Sequence, residues 1–326
     1  MSNRNRIRHI EKEIRWLRNS GSQSLQDNSF NNDGNSFLKL SDVNERIFAS
    51  YKSDIAPNTF RSYKSSFNSF IRLIGDKNIN MISKSDLEEY KLKRSKEVNP
   101  VSTNIDIRNI KAIFNKMVDY ELIEYSRFSG VKQIKIKSKK VLAIDSTDIV
   151  RILNAAMDKQ MNQIIRLTLF TASRISEVLN MKVKDIDFGK GILNVYQQKT
   201  NCYKTIPLTD RLTELLKEIC LSNIEGIDNN LKESYIFYNK SNNDPYLKLR
   251  SDTVSKRFKK ILRSLDLSED FRFHSLRHTA ISELNRNNIP VNVVKEIAGH
   301  KDIRTTILYS HVRSEDIKQG INSLNY

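Results

Sequence analysis

Between Val131 and Lys140 the hydrophobic pattern of the chain breaks, and the segments on either side have different periods. The break is a short extended stretch in which Lys132, Lys135, Lys137, Lys139 and Lys140 recur. Upstream of it every apolar pattern is helical. Phe60, Tyr63, Phe67, Phe70, Ile71 and Ile74 fall at helical spacing and predict an amphipathic helix over 58–74. Ser85 opens a second helix through Leu87 and Tyr90. Ser102 opens a third, with Ile110, Ile113, Phe114, Met117 and Val118 as its core face. A shorter helix around Val43 to Tyr51 completes an all-helical unit. A solvated charged loop would share the composition of 131–140, but so basic a stretch suits passage across a phosphate backbone. Its five lysines are therefore candidate DNA contacts.

Downstream the pattern is mixed. Ile149, Ile152, Leu153 and Ala156 form one helical face, residues 164–170 are almost wholly apolar, and Ile175, Val178 and Leu179 continue the helical spacing. A short β region follows at Ile186 and Phe188, Ile192 to Tyr196 and Tyr203 to Pro207, with Gln198, Lys199, Thr200 and Asn201 in the last turn. Helical spacing returns at Leu212, Leu215, Leu216 and Ile219, and again at Val254, Phe258, Ile261, Leu262 and Leu265. The expected fold class is mainly α with a small β-sheet. Four segments are expected: a flexible basic arm over 1–38, a helical domain over 39–130, a basic linker over 131–140, and a mixed α+β domain with a tail over 141–326. Length agrees, since 326 residues at roughly 150 per domain suggest two domains. Within the arm, residues 1–18 have the pattern of a basic amphipathic helix, and 19–36 that of a Ser/Asn/Gly linker. A DNA- or partner-touching arm and a disordered tail are both compatible with it.

The formal net charge is +17, which points to a polyanionic partner, although lysine-rich coding alone would also raise it. Cys202 and Cys220 are the only cysteines, too few for a disulfide framework or a zinc site. No apolar run is long enough to span a membrane, and Met1 to Arg18 lack the apolar core of a signal peptide. A cytoplasmic, nucleoid-associated protein with no membrane partner is expected.

Histidine is scarce, and its distribution marks a site. Of five in the chain, four lie between His274 and His311. His274 and Arg277, three residues apart at a helix start, can face one side. His300 follows Gly299 at another turn, and Tyr309 lies nine residues beyond it. There is no metal-binding histidine pair, no carboxylate cluster and no Gly-rich phosphate loop. Cations, imidazoles and a tyrosine remain, a set suited to phosphoryl transfer with no metal and no cofactor.

In these residues the chain resembles the tyrosine recombinase (lambda-integrase-type) family, whose pattern includes Xer-type enzymes. The matching segments are TASRISEVLNMKVKDID, QKTNCYKTIPL, HSLRH, GH and LYSHV, in order and at matching spacing over 141–315. Upstream, PNTFRSYKSSFNSFI and VSTNIDIRNIKAIFNKMVDYELI are similar to the family's helical, SAM-like DNA-clamping domain. The resemblance implies the following roles. Tyr309 is the nucleophile that forms a 3′-phosphotyrosine. Arg174 and Arg277 grip non-bridging phosphate oxygens through their planar guanidinium forks. Lys199 is the general acid for the leaving 5′-hydroxyl, His274 assists proton transfer near the nucleophile, and His300 hydrogen-bonds the phosphate. Glu177 supports the pocket, and His278 and His311 are read as packing residues.

Two departures stand out. Ala172-Ser173 replaces the glycine and apolar residue common before the arginine, and the lysine turn lacks glycines. Lys204 therefore competes with Lys199, which is preferred because it lies eight residues before Pro207. The resemblance further implies double-stranded DNA carrying a specific site, a homo-tetramer joining two such sites through a Holliday junction, and possible accessory proteins. Integration or excision of a mobile element and resolution of replicon dimers are both open, and the long amino end leans towards the former. A nicking-closing enzyme of type IB topoisomerase kind is one rival. A DNA-binding protein with a decayed site is the other.

Overall fold

The computed structural model describes residues 38–44, 47–48, 55–136, 142–224, 231–240, 244–309 and 322. The expected arm before Leu38, Lys137, Lys139, Lys140, His311 and all of the tail from Ile317 except Asn322 lie outside them. The chain divides into two compact units, Met1–Ser138 and Lys139–Tyr326.

In the first unit, α1 (Pro57–Ile74) begins with proline, whose missing N–H is no loss at a helix start. α2 (Lys84–Glu97) is opened by a reciprocal cap. The Asp86 amide donates to the Ser83 hydroxyl (3.4 Å), and the Ser83 amide donates to the Asp86 carboxylate (2.7 Å). α3 (Pro100–Asp119) starts two residues before the Ser102 expected to open it. Asn99 is the cap, accepting from the Ser102 amide at 2.9 Å, and Pro100 sets the first helical φ. The predicted faces pack as read. Phe67, Phe70, Ile110, Ile113, Phe114 and Met117 are buried, Val118 is partly so, and Leu40, Val43, Ile47 and Phe48 add helical turns to the same core. Phe70 meets Tyr90, Phe114 and Phe128 edge-on with centroids at 5.4, 6.1 and 6.2 Å.

The start of the basic stretch is anchored to this unit. Val131 is buried and its carbonyl accepts from Lys111 Nζ (2.6 Å). Asn104 bonds both backbone groups of Ile134, donating to its carbonyl (2.9 Å) and accepting from its amide (2.8 Å). Lys132 and Lys135 are exposed.

The second unit runs α4 (Ser146–Ala155), α5 (Lys159–Thr171), α6 (Ile175–Asn180), β1 (Ile186–Asp187), β2 (Ile192–Gln197), β3 (Cys202–Pro207), α7 (Asp210–Ile224), α8 (Ser251–Ser264), α9 (Phe273–Arg286), α10 (Val291–Ala298) and α11 (Arg304–Ile307). The strands form an antiparallel sheet in the order β1-β2-β3, with Val195 opposite Lys204 and Gln197 opposite Cys202. Alternation along β2 and β3 turns Leu193, Val195, Gln197, Lys204 and Ile206 inward, so an apolar face ends in two polar residues at the hairpin tip. α5 is central and packs against α9 and α7. Its Ile164, Ile165 and Leu167 join Val178, Leu193, Leu215, Phe258 and Leu276 in the main core. A smaller cluster of Ala172, Ala280, Ile281, Val294, Ala298 and Tyr309 lies under the candidate site. The protein is mainly helical with one small sheet, as its periodicity predicts.

Candidate active site

The site is built where three chain reversals meet one helix start. At the end of α5 the backbone turns through Ala172, which is left-handed at φ 47°. That is the conformation for which glycine is the usual choice, and the alanine methyl adds strain there. The turn delivers Arg174 to the amino end of α6. There the Glu177 carboxylate accepts from the Arg174 amide (2.9 Å) and from its Nη1 (2.6 Å). Glu177 is buried, and its other contacts lie within the site.

Arg277 projects from the second turn of α9 and is 1% exposed. Its Nη1 donates to the Ala172 carbonyl (2.6 Å) and lies 3.9 Å from the Glu177 carboxylate. Its Nη2 is buried and has no hydrogen-bond partner among the described residues. A buried guanidinium N–H left unmatched is costly. Burial depresses the Arg277 pKa to about 10, and Arg174 adds to the effect.

A second reversal ends α10. Gly299 is left-handed at φ 65°, and a methyl group on it would meet the Gln197 side chain at 2.0 Å. The positive φ favours glycine here, and a methyl group would also have to displace the end of the Gln197 side chain. His300 follows, buried, with Nδ1 bonded to the Thr306 hydroxyl (2.9 Å), which leaves Nε2 for another partner. Burial, with Arg277, Arg174 and Lys204 nearby, pushes its pKa down to about 4. His274 is pushed to about 4 by burial against its neighbours, with His278 and the arginines adding repulsion, although part of its ring reaches solvent.

Tyr309 comes just after α11 and is 8% exposed. Its phenol is raised by burial, against the downward pull of Arg277 and Arg174. The His300 ring stacks on it at 6.4 Å. Its hydroxyl touches Nδ1 of His278, a histidine that the sequence motif leaves as a packing residue. His278 in turn meets the His274 ring edge-to-face at 4.5 Å.

The two competing lysines have different surroundings. Lys204 is 7% exposed and donates to the carbonyls of Thr171 (2.9 Å) and Ile297 (2.8 Å). Burial lowers its pKa to about 7, against the pull of Glu177. Lys199 is exposed in the β2–β3 turn, with no hydrogen bond or ion pair among the described residues. Gln197, where β2 enters that turn, donates to the Gly299 carbonyl (3.1 Å) and faces Glu177 at 3.5 Å. The structure therefore brings together Arg174, Glu177, Arg277, His274, His300 and Tyr309 and adds His278, Gln197 and Lys204. It leaves Lys199 on the surface of the hairpin. Lys132 and Lys135 belong to the other unit.

Chemically this is a cationic recess. Arg174 and Arg277, with Lys204 nearby, face one carboxylate, and burial together with these cations favours the neutral form of His274, His278 and His300. Such a recess stabilises charge that builds on a phosphorus centre and its oxygens.

Residues 143–316 match the phage integrase family. Over 276 residues the chain is 24% identical to a tyrosine recombinase of Pseudothermotoga lettingae, covering 83% of this chain and 93% of that protein. Among solved structures, the Tn1549 transposon integrase in complex with transposon right end DNA superposes with a TM-score of 0.73 at 14% identity, covering 87% of this chain and 99% of that one. A lambda integrase tetramer bound to a Holliday junction gives 0.70 at 20% identity, covering 85% and 79%. At these identities the two structures speak for the fold alone.

Proposed function

The chain belongs to the phage integrase family of tyrosine recombinases, and from that premise we propose that it cuts and rejoins DNA at a specific site through a 3′-phosphotyrosine on Tyr309. The observation that carries the reading is the buried, unmatched Nη2 of Arg277 beside Arg174. An N–H held out of water without an acceptor is suited to a ligand oxygen, and a non-bridging phosphate oxygen fits both its charge and its planar geometry.

Arg174 and Arg277 bind the scissile phosphate, with Glu177 holding both guanidinium groups in place. His300 donates from Nε2 to a phosphate oxygen. Lys199, exposed on the hairpin tip, reaches the leaving 5′-oxygen when the hairpin meets DNA and protonates it. Lys204 is already engaged by two carbonyls, which favours Lys199 for that step. His274 supports proton movement beside the nucleophile. Exposed Lys132 and Lys135, with Lys137, Lys139 and Lys140, contact the DNA backbone. Each covalent link conserves the energy of the bond it replaces, so strands can be exchanged without ATP. Exchange in pairs by a tetramer through a Holliday junction is the natural extension, supported by the lambda integrase structure of that composition. The reading covers integration or excision of a mobile element and resolution of replicon dimers alike.

The test is denaturing capture of protein–DNA adducts from cells expressing wild-type protein or Tyr309→Phe, with the attached 3′ ends sequenced. Adducts at one or a few sequences, absent from the variant, are expected. DNA binding with no adduct from wild type would sink the reading in favour of a binding protein. Adducts scattered without sequence preference would favour a nicking-closing enzyme.

A further inference from the structure

The sequence motif gives the Tyr309 proton no certain destination, and the structure offers one. The phenolic hydroxyl lies against Nδ1 of His278, with the rings 5.5 Å apart and inclined by 38°. His274 is not recorded on the hydroxyl; it contacts the edge of the His278 ring. His300 stacks on the face of the tyrosine, and its own Nδ1 is engaged by Thr306. We infer that His278 is a catalytic residue that accepts the Tyr309 proton as the phenol attacks phosphorus. The inference rests on the recombinase reading and adds a residue to it.

The step balances as follows. His278 starts neutral, with its proton on Nε2 and the Nδ1 lone pair directed at the phenol. As the Tyr309 oxygen bonds to phosphorus, its O–H bond breaks and the proton passes to Nδ1. The bond from phosphorus to the 5′-oxygen breaks, and that oxygen takes a proton from Lys199. On rejoining, the 5′-hydroxyl attacks, giving its proton back to Lys199. The tyrosine oxygen leaves and recovers its own proton from the His278 imidazolium. No oxidant, metal or further reactant is needed.

The surroundings suit an acceptor that must begin uncharged. His278 is half-buried, and burial together with Arg277 lowers its pKa. Among the described residues, the charged and titratable groups around the pair are Arg277 and His274 on α9, Arg174 beyond the α5 turn, and His300 after α10. None of them is a carboxylate that would fix His278 as a cation. Arg277 and Arg174 stabilise the phenolate that the transfer leaves behind, offsetting part of the burial that raises the phenol.

The experiment uses full-length protein and a duplex carrying the sequence recovered in wild-type adducts, with single-turnover cleavage measured at saturating DNA. His278→Asn places an amide oxygen near the position of Nδ1 and keeps a hydrogen bond to the phenol, but it is no base. Loss of an acid–base group typically costs about 100-fold or more, and cleavage should slow by that much with DNA affinity within twofold of wild type. Replacing Tyr309 by 3,5-difluorotyrosine, a more acidic phenol, should restore most of the rate in His278→Asn. Cleavage by His278→Asn within twofold of wild type overturns the inference. So does a slow variant that the fluorinated phenol leaves equally slow, because His278 would then only hold the fold. If His278→Asn does not melt cooperatively, wild-type protein decides. Its cleavage rate should fall on acidification, with a midpoint below the ordinary histidine value of about 6.5. That fall should flatten with difluorotyrosine at 309; identical profiles overturn the inference. Absence of adducts from wild type would count against the recombinase reading itself and is recognisable as such.

Discussion

Each unit of the protein holds an ionic cluster around a buried carboxylate, Asp106 in one and Glu177 in the other, and the two are finished differently. In the helical unit Asp106 accepts from Ser66 (2.6 Å) and from Arg94 Nε (2.9 Å). Arg94 also bonds Glu97 (2.8 Å), which pairs with Arg72 (2.6 Å). Charges of opposite sign alternate along the chain of contacts. In the catalytic unit Glu177 stands between Arg174 and Arg277 with Lys204 nearby, and Arg277 keeps a buried N–H without a partner. Folding alone favours the first arrangement, since removing charges from water costs less when each is matched. The second is a cluster short of one anion, and on the proposed reading that anion is the substrate's phosphate.

The sharpest way to break the contrast is to exchange charge for shape in each cluster. Arg277→Met should cut adduct formation by about 10²–10³, the usual loss when a charge-stabilising donor is removed. It should leave the melting temperature of the catalytic unit unchanged or raised, because an incompletely matched charge has been taken out of the interior. Asp106→Ala should do the reverse. Leaving Arg94 and Ser66 without their acceptor should destabilise the helical unit by about 1–3 kcal/mol, while cleavage per folded molecule stays at wild type. A large loss of stability in Arg277→Met would mean that the two clusters do the same job.

Acid should separate the units next. His274 and His300 have folded pKa values near 4, below the ordinary 6.5. Between those values the unfolded chain binds more protons than the folded one, so stability falls as pH is lowered from about 6.5 to about 4. In the helical unit the depressed groups are carboxylates. Lys77 and Ser83 bonds hold the buried Asp86 below its usual value, and Arg72 and Arg94 hold Glu97 at about 2. Their contribution is intact above the ordinary carboxylate pKa and is lost only as pH falls through the folded values. Hydrogen exchange followed segment by segment should show the catalytic unit loosening first on acidification, with the helical unit following below about pH 4.5. Simultaneous loosening would contradict it.

The smallest effect concerns the two left-handed turns of the site. Ala172→Gly relieves a positive φ worth about 1–2 kcal/mol but gives up a buried methyl worth about 0.8 kcal/mol. Its melting temperature should move by only a few degrees and its cleavage should hold. Gly299→Ala adds the same φ strain and a collision with Gln197, so it should lose both stability and cleavage in the same assay. Equal behaviour of the two variants would deny the packing at Gly299.

Much of this was legible in the chain. The helices follow from apolar spacing, as at Phe67, Phe70 and Ile74, because one buried face is a local pattern. Arg174, Arg277, His300 and Tyr309 were visible because their spacing is carried by short elements. The pairing of His278 with Tyr309 was not, since 31 residues and two helices separate them and nothing periodic links their side chains. Gln197 and Lys204 did leave a signal. They occupy inward positions of alternating strands, where a polar residue must find a partner, but only the fold shows that the partners are carbonyls at two active-site turns. α3 starts two residues before Ser102 because Asn99 supplies the cap and Pro100 the first helical φ, a pair that apolar spacing does not register.

The contact of Gln197 with Gly299 has a mechanical meaning. The end of the Gln197 side chain fills the space between the hairpin that carries Lys199 and the turn that carries His300, so a methyl group on Gly299 would have to displace it. Lys204 bolts the same hairpin to the carbonyls of Thr171 and Ile297, on the approaches to Arg174 and His300. The hairpin, fastened at both points, acts as an interlock. If the hairpin meets DNA as proposed, a load on its tip is therefore felt at the turns that carry Arg174 and His300.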